Sequence, residues 1–63
     1  MRLKLCEWRR ARGISQEEMA QKLDISKPTY FRWEKDPQNI SIHNAERIAA
    51  ILEVTIYDII FLP

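Results

Sequence analysis

Lys27, Pro28, Phe31, Arg32 and Lys35 fall within one short segment, and their spacing decides what they can do together. At 100° per residue, a helix over this segment turns Ser26, Tyr30, Trp33 and Glu34 inward and leaves Pro28, Phe31, Arg32 and Lys35 outward, with Lys27 on the exposed first turn. The outward set combines a guanidinium, two ammonium groups and two apolar rings. Such a side donates hydrogen bonds to acceptors and rests apolar surface against methyl groups, the chemistry of reading nucleobase edges. The run from Ser15 to Glu34 holds two helix starts joined by a turn too short for anything but a tight helix-turn-helix. That geometry lets its second helix stand out from the domain and enter a DNA major groove.

Little else in the chain is equipped for chemistry. Paired carboxylates, a nucleophile with its base, a glycine-rich phosphate loop and a metal cluster are all missing from the sequence, so an enzyme is not expected and no cofactor is implied. His43 is a lone histidine without acid or cysteine partners at ligand spacing, which argues against metal and catalytic roles. Cys6 is the single cysteine, which excludes an intramolecular disulfide and reads as packing in the first helix. Nothing resembles a secretory signal or a membrane span, so a cytoplasmic protein is expected, encoded by a bacterium or phage. Ten Lys and Arg against nine Asp and Glu leave a net charge of +1, too small to announce a nucleic-acid binder unaided. The distribution is more telling: Arg2, Lys4, Arg9, Arg10 and Arg12 crowd the first segment, and Lys27, Arg32 and Lys35 recur along a later helix.

The elements that position these residues follow from four repeats of one local pattern. Ser15, Ser26, Ser41 and Thr55 are each preceded by Ile or Val and followed four positions on by Met19, Tyr30, Ala45 and Ile59. A hydroxyl N-cap satisfies an orphan backbone N–H while the flanking apolar pair staples the chain's approach. Glu18 completes a capping box with Ser15, Asp58 does so more weakly for Thr55, and Gly13 stops a first helix. Five helices are predicted, over 2–12, 16–23, 27–35, 42–52 and 56–61, with no stretch of strand-like alternation. Helical spacing selects Leu5, Trp8, Met19, Ala20, Leu23, Tyr30, Trp33, Ala45, Ile48, Ala49, Leu52, Ile56, Ile59 and Ile60 as the core. All 63 residues are read as a single compact all-α domain. A chain of this size buries only about 60% of its unfolded surface, so stability is marginal and dimerisation would help.

In order and spacing, the run from Arg9 through Thr55 resembles the Cro/C1-type (XRE-like) helix-turn-helix family of phage repressors, Cro proteins, restriction-modification controllers and antitoxins. The matching residues are Arg9 four positions before Gly13, Ile14 to Ala20, Leu23, Ile25-Ser26, Glu34, Ser41-Ile42, Ile48-Ala49 and Leu52 to Thr55. The resemblance implies a five-helix lambda-repressor-like domain with helices 2 and 3 as the helix-turn-helix. Asp24, Asp36 and Glu53 stand where the family often has glycine, and of these Glu53 is least suited to a left-handed backbone.

The resemblance also implies roles. Arg9 and Glu34 are expected to form a buried ion pair tying helix 1 to the end of helix 3, and Glu34 lies on the same side as Tyr30 and Trp33, where an unpaired carboxylate is costly. Base contacts map onto Lys27, Pro28 and Arg32, with Phe31 beside them. Arg32 can pair with guanine O6 and N7, Lys27 can reach the same edge, and Pro28 or Phe31 can rest on a thymine methyl. Gln16 is the clearest candidate for a phosphate contact, with Thr29, Lys35, Asn39, Ser41 and His43 as weaker ones.

The run from Val54 to Leu62 is more apolar than one short helix needs, and Tyr57, Ile60, Phe61 and Leu62 are candidates for a homodimer interface; the alternative is a tail folded back on the core. Two functions compete. One is a sequence-specific DNA-binding transcriptional regulator, supported by Lys27, Arg32 and Lys35 on one face and acting on a two-fold operator in double-stranded DNA. The other is a protein-interaction module, such as an antitoxin or adaptor, favoured by the low net charge and by Pro28 and Phe31.

Overall fold

The computed structural model describes all 63 residues. Four α-helices form where hydroxyl caps and apolar spacing coincide: α1 Leu5–Ala11, α2 Gln16–Leu23, α3 Lys27–Lys35 and α4 Ile42–Leu52. Ser15 Oγ accepts the Glu18 N–H at 3.0 Å, Ser26 Oγ that of Thr29 at 3.3 Å, and Ser41 Oγ that of Asn44 at 3.1 Å. Each cap contributes about 1 kcal/mol relative to alanine. The Ser15 box is half formed, because the Glu18 side chain does not return the bond.

Helix ends use the left-handed region twice without glycine. Asp24 closes α2 at φ 58° and Glu53 closes α4 at φ 60°, beside Gly13 at φ 69° after α1. Asp36 differs, with φ −126°. The proline that follows it disfavours a helical conformation there, so α3 stops and the chain passes into a 3-10 turn over Pro37–Asn39.

The expected fifth helix over 56–61 does not form, and the fold is mostly helical rather than all-α. Asp58 does accept the Thr55 N–H at 2.9 Å and its hydroxyl at 3.0 Å. The helix nevertheless ends after one 3-10 turn, Ile56–Asp58, and Ile59–Ile60 becomes strand β2. It pairs in parallel with β1, Leu3–Lys4, in the register Leu3 to Ile59 and Lys4 to Ile60. Two adjacent β-branched residues are stiff in a helix and at ease in a strand, and so short a helix cannot repay its nucleation. The same pairing moves the start of α1 from Arg2 to Leu5, where Glu7 accepts the Lys4 N–H at 2.8 Å.

One core holds these elements together. Leu5, Met19, Leu23, Tyr30, Ile48, Leu52 and Ile59 are fully buried, and Trp8, Ala20, Ala45 and Ala49 are nearly so. Trp33, Ile56 and Ile60, expected inside, lie half-buried at its edge. Arginines close the helix ends: Arg12 Nε donates to Leu52 O at 2.8 Å, Arg47 donates to Leu23 O, and Arg2 Nε donates to Tyr57 O at 3.0 Å. Carbonyls that the helices leave unpaired thereby gain charged donors.

Candidate nucleic-acid interface

The second helix of the α2–α3 pair has two chemically different sides. Ser26 caps α3, Pro28 occupies the first turn where no N–H is needed, and Tyr30 is fully buried with Trp33 and Glu34 half-buried beside it. Lys27, Pro28, Phe31, Arg32 and Lys35 are all exposed on the other side. Lys27 Nζ lies 3.6 Å from Glu17 Oε2 and 5.5 Å from the centre of the Phe31 ring. Arg32 and Lys35 form no ion pair within the chain.

A closed polar network locks the inner side. Arg9 Nε donates to Glu34 Oε2 at 2.6 Å, with both side chains less than a tenth exposed, and Arg9 Nη1 donates to Ile14 O at 2.9 Å. Tyr30 Oη donates to Glu34 Oε2 at 2.6 Å, and Gln16 Nε2 donates to Glu34 Oε1 at 2.9 Å. Burial by itself raises the Glu34 carboxyl, but hydrogen bonds from Arg9, Tyr30 and Gln16 outweigh it and hold the group below its ordinary value of 4.5. Desolvation likewise opposes the Arg9 charge, and the hydrogen bond to Glu34 more than reverses it. Burial and the adjacent carboxylate push the Tyr30 hydroxyl far above its ordinary 10.0, so it remains a donor. The network joins α1, the start of α2 and the end of α3 into one rigid unit.

A profile of the family described as helix-turn-helix matches residues 7–59, spanning α1 to the start of β2. The chain belongs to the Cro/C1-type (XRE-like) helix-turn-helix family. No curated protein and no solved structure matches it significantly. Family membership makes it a DNA-binding helix-turn-helix domain of the XRE type, with α2 and α3 as the motif. Charge is partitioned accordingly within this helix-turn-helix domain. Arg2, Arg9, Arg12 and Arg47 are spent on internal acceptors, which leaves Arg32 and Lys35 as unpaired cations of α3 despite a net charge of only +1.

The remaining candidates are spread over three places. Gln16 is half-buried with its amide on Glu34, and Thr29 is half-buried with its hydroxyl 2.7 Å from that of Ser26. Lys35, Asn39, Ser41 and His43 are exposed along the chain from the end of α3 through the 3-10 turn to the first turn of α4. Tyr57 and Leu62 are 79% and 60% exposed, while Ile60 and Phe61 are half-buried. Sequence reasoning overlooked Glu17, because its meeting with Lys27 depends on the angle between two helices. It also overlooked Ile42, 72% exposed on the rim of an open cleft of about 600 Å³ that Ile40, Ile56 and Phe61 also line. A run of Ile at 40 and 42 around a cap is the only signal the sequence carries for that cleft.

Proposed function

We propose that this domain acts as a single unit of a sequence-specific transcriptional regulator that seats α3 in the major groove and binds as a homodimer. The observation that carries the reading is the division of α3 itself: an inner side locked by Arg9, Glu34, Gln16 and Tyr30, and an outer side of exposed donors and rings. Arg32 gives guanine a bidentate contact and Lys27 a single one, while Pro28 and Phe31 pack against thymine methyls. Gln16 keeps one amide N–H on Glu34 and offers the other to a phosphate. Thr29, Lys35, Asn39, Ser41 and His43 add weaker backbone contacts.

Homodimerisation through Tyr57, Ile60, Phe61 and Leu62 is supported by the apolar surface that these residues leave uncovered, continuous with the cleft beside Ile42. Two such domains read half-sites about one helical turn apart. The same apolar surface favours a second reading, a module that holds a partner protein instead of a second copy.

Selection from random duplexes at several salt concentrations tests the proposal. The regulator yields a two-fold consensus with a steep negative salt slope, and Arg32→Ala relaxes preference at one base pair by about 1–3 kcal/mol. Absence of any preferred duplex removes this reading and leaves the partner-protein one.

A further inference from the structure

Glu17 is an acidic side chain beside Gln16 in the first turn of α2, on the motif that is to meet a polyanion. Its carboxylate stands 3.6 Å from Lys27 Nζ, and the two side chains remain 64% and 51% exposed, respectively. The ammonium also sits 5.5 Å from the Phe31 ring, one helical turn further along α3. Lys27 is thus held between a carboxylate and a π face, while Arg32 on the same side has no ionic partner.

We propose that Glu17 is a specificity-determining residue of the reading face: by pairing with Lys27 it makes that ammonium favour neutral base-edge acceptors over phosphates. The proposal rests on α3 being the DNA-reading helix. An ammonium has three N–H donors, so Lys27 can keep Glu17 on one and offer another to guanine O6 or N7. A neutral acceptor tolerates the neighbouring carboxylate. A phosphate in the same place is repelled by it, and Lys27 must leave Glu17 to reach one. Binding to random DNA is almost entirely phosphate electrostatics, so the pair subtracts more from random duplexes than from a matched site. Exposed ion pairs are weak enough to exchange, so the device biases the choice of acceptor without freezing the side chain. Phe31 keeps the ammonium near the outer surface of α3.

Glu17→Gln tests this by titration of the full chain with a random duplex and with the duplex recovered by selection, between about 50 and 200 mM salt. The expected result is a gain of roughly three- to tenfold for the random duplex at the lowest salt, a salt slope steeper by about one, and a smaller gain for the selected duplex. In a Lys27→Gln background the same substitution is expected to lose most of that gain and to leave the slope unchanged. Equal gains on both duplexes, no gain on either, or an undiminished gain without Lys27 overturn the proposal while leaving DNA binding intact. Failure of the wild-type chain to bind any duplex at 50 mM salt overturns it together with the reading on which it rests. Glu17→Ala repeats the measurement if the glutamine variant unfolds, as judged by its melting curve.

Discussion

Two ion pairs flank α3, and they differ in every respect that governs their energy. Arg9 and Glu34 meet at 2.6 Å with both side chains under a tenth exposed, and Tyr30, Gln16 and Ile14 complete the hydrogen bonds of the pair. Lys27 and Glu17 stand 3.6 Å apart with more than half of each side chain in solvent. The first cannot lose a member without leaving a buried charge uncompensated, whereas water takes over for either member of the second. One helix therefore carries a structural pair on its inner side and an exchangeable pair on its outer side. Opposite charges in contact are not one kind of interaction, and burial decides which kind they are.

Removing one partner breaks the inner pair most severely. Glu34→Ala is expected to cost about 3–5 kcal/mol in chemical denaturation, since Arg9, Tyr30 and Gln16 all lose their acceptor. Near-wild-type stability of this variant would abolish the distinction between the two pairs. Tyr30→Phe keeps the ring in the core and deletes one charge-assisted hydrogen bond, with an expected loss of about 1.5–3 kcal/mol.

Acid probes the same carboxylate without mutation. Because folding lowers the Glu34 carboxyl below 4.5, the unfolded chain takes up a proton more readily than the folded one. Stability from this group is complete above that value and is lost as pH falls through the folded value, which melting curves from pH 6 downward will show. In Glu34→Ala that part of the acid dependence disappears. Glu17→Ala gives the smallest effect, a change in stability within about 0.5 kcal/mol, and a larger loss would show the outer pair to be structural as well.

The parts of this fold that are legible in sequence are those made by local chemistry. Ser15, Ser26 and Ser41 mark helix starts because a hydroxyl can satisfy an N–H three residues on, and Met19, Leu23, Ile48 and Leu52 repeat at the helical period that buries them. The outward position of Arg32 and Lys35 follows from the same rotation. Illegible features depend on residues far apart in the chain. Leu3–Lys4 and Ile59–Ile60 are too short for strand periodicity to register, and each exists only because the other is there. Glu17 meets Lys27, and Arg47 reaches Leu23 O, through angles between helices that no local pattern encodes. Thr55 and Asp58 illustrate the boundary: their capping bonds form, yet the helix they announce is overruled after one turn by the strand pairing of Ile59.

That strand pairing is also what brings the most distant parts of the sequence together. It joins the third residue to the fifty-ninth, and Arg2 to Tyr57 and Trp8 to Asp58 fasten the same seam, so the clasp closes a loop that takes in all four helices. Closing so long a loop costs more chain entropy than any local contact, and with neither strand longer than two residues the seam depends on the burial of Ile59 in the core as much as on its ladder.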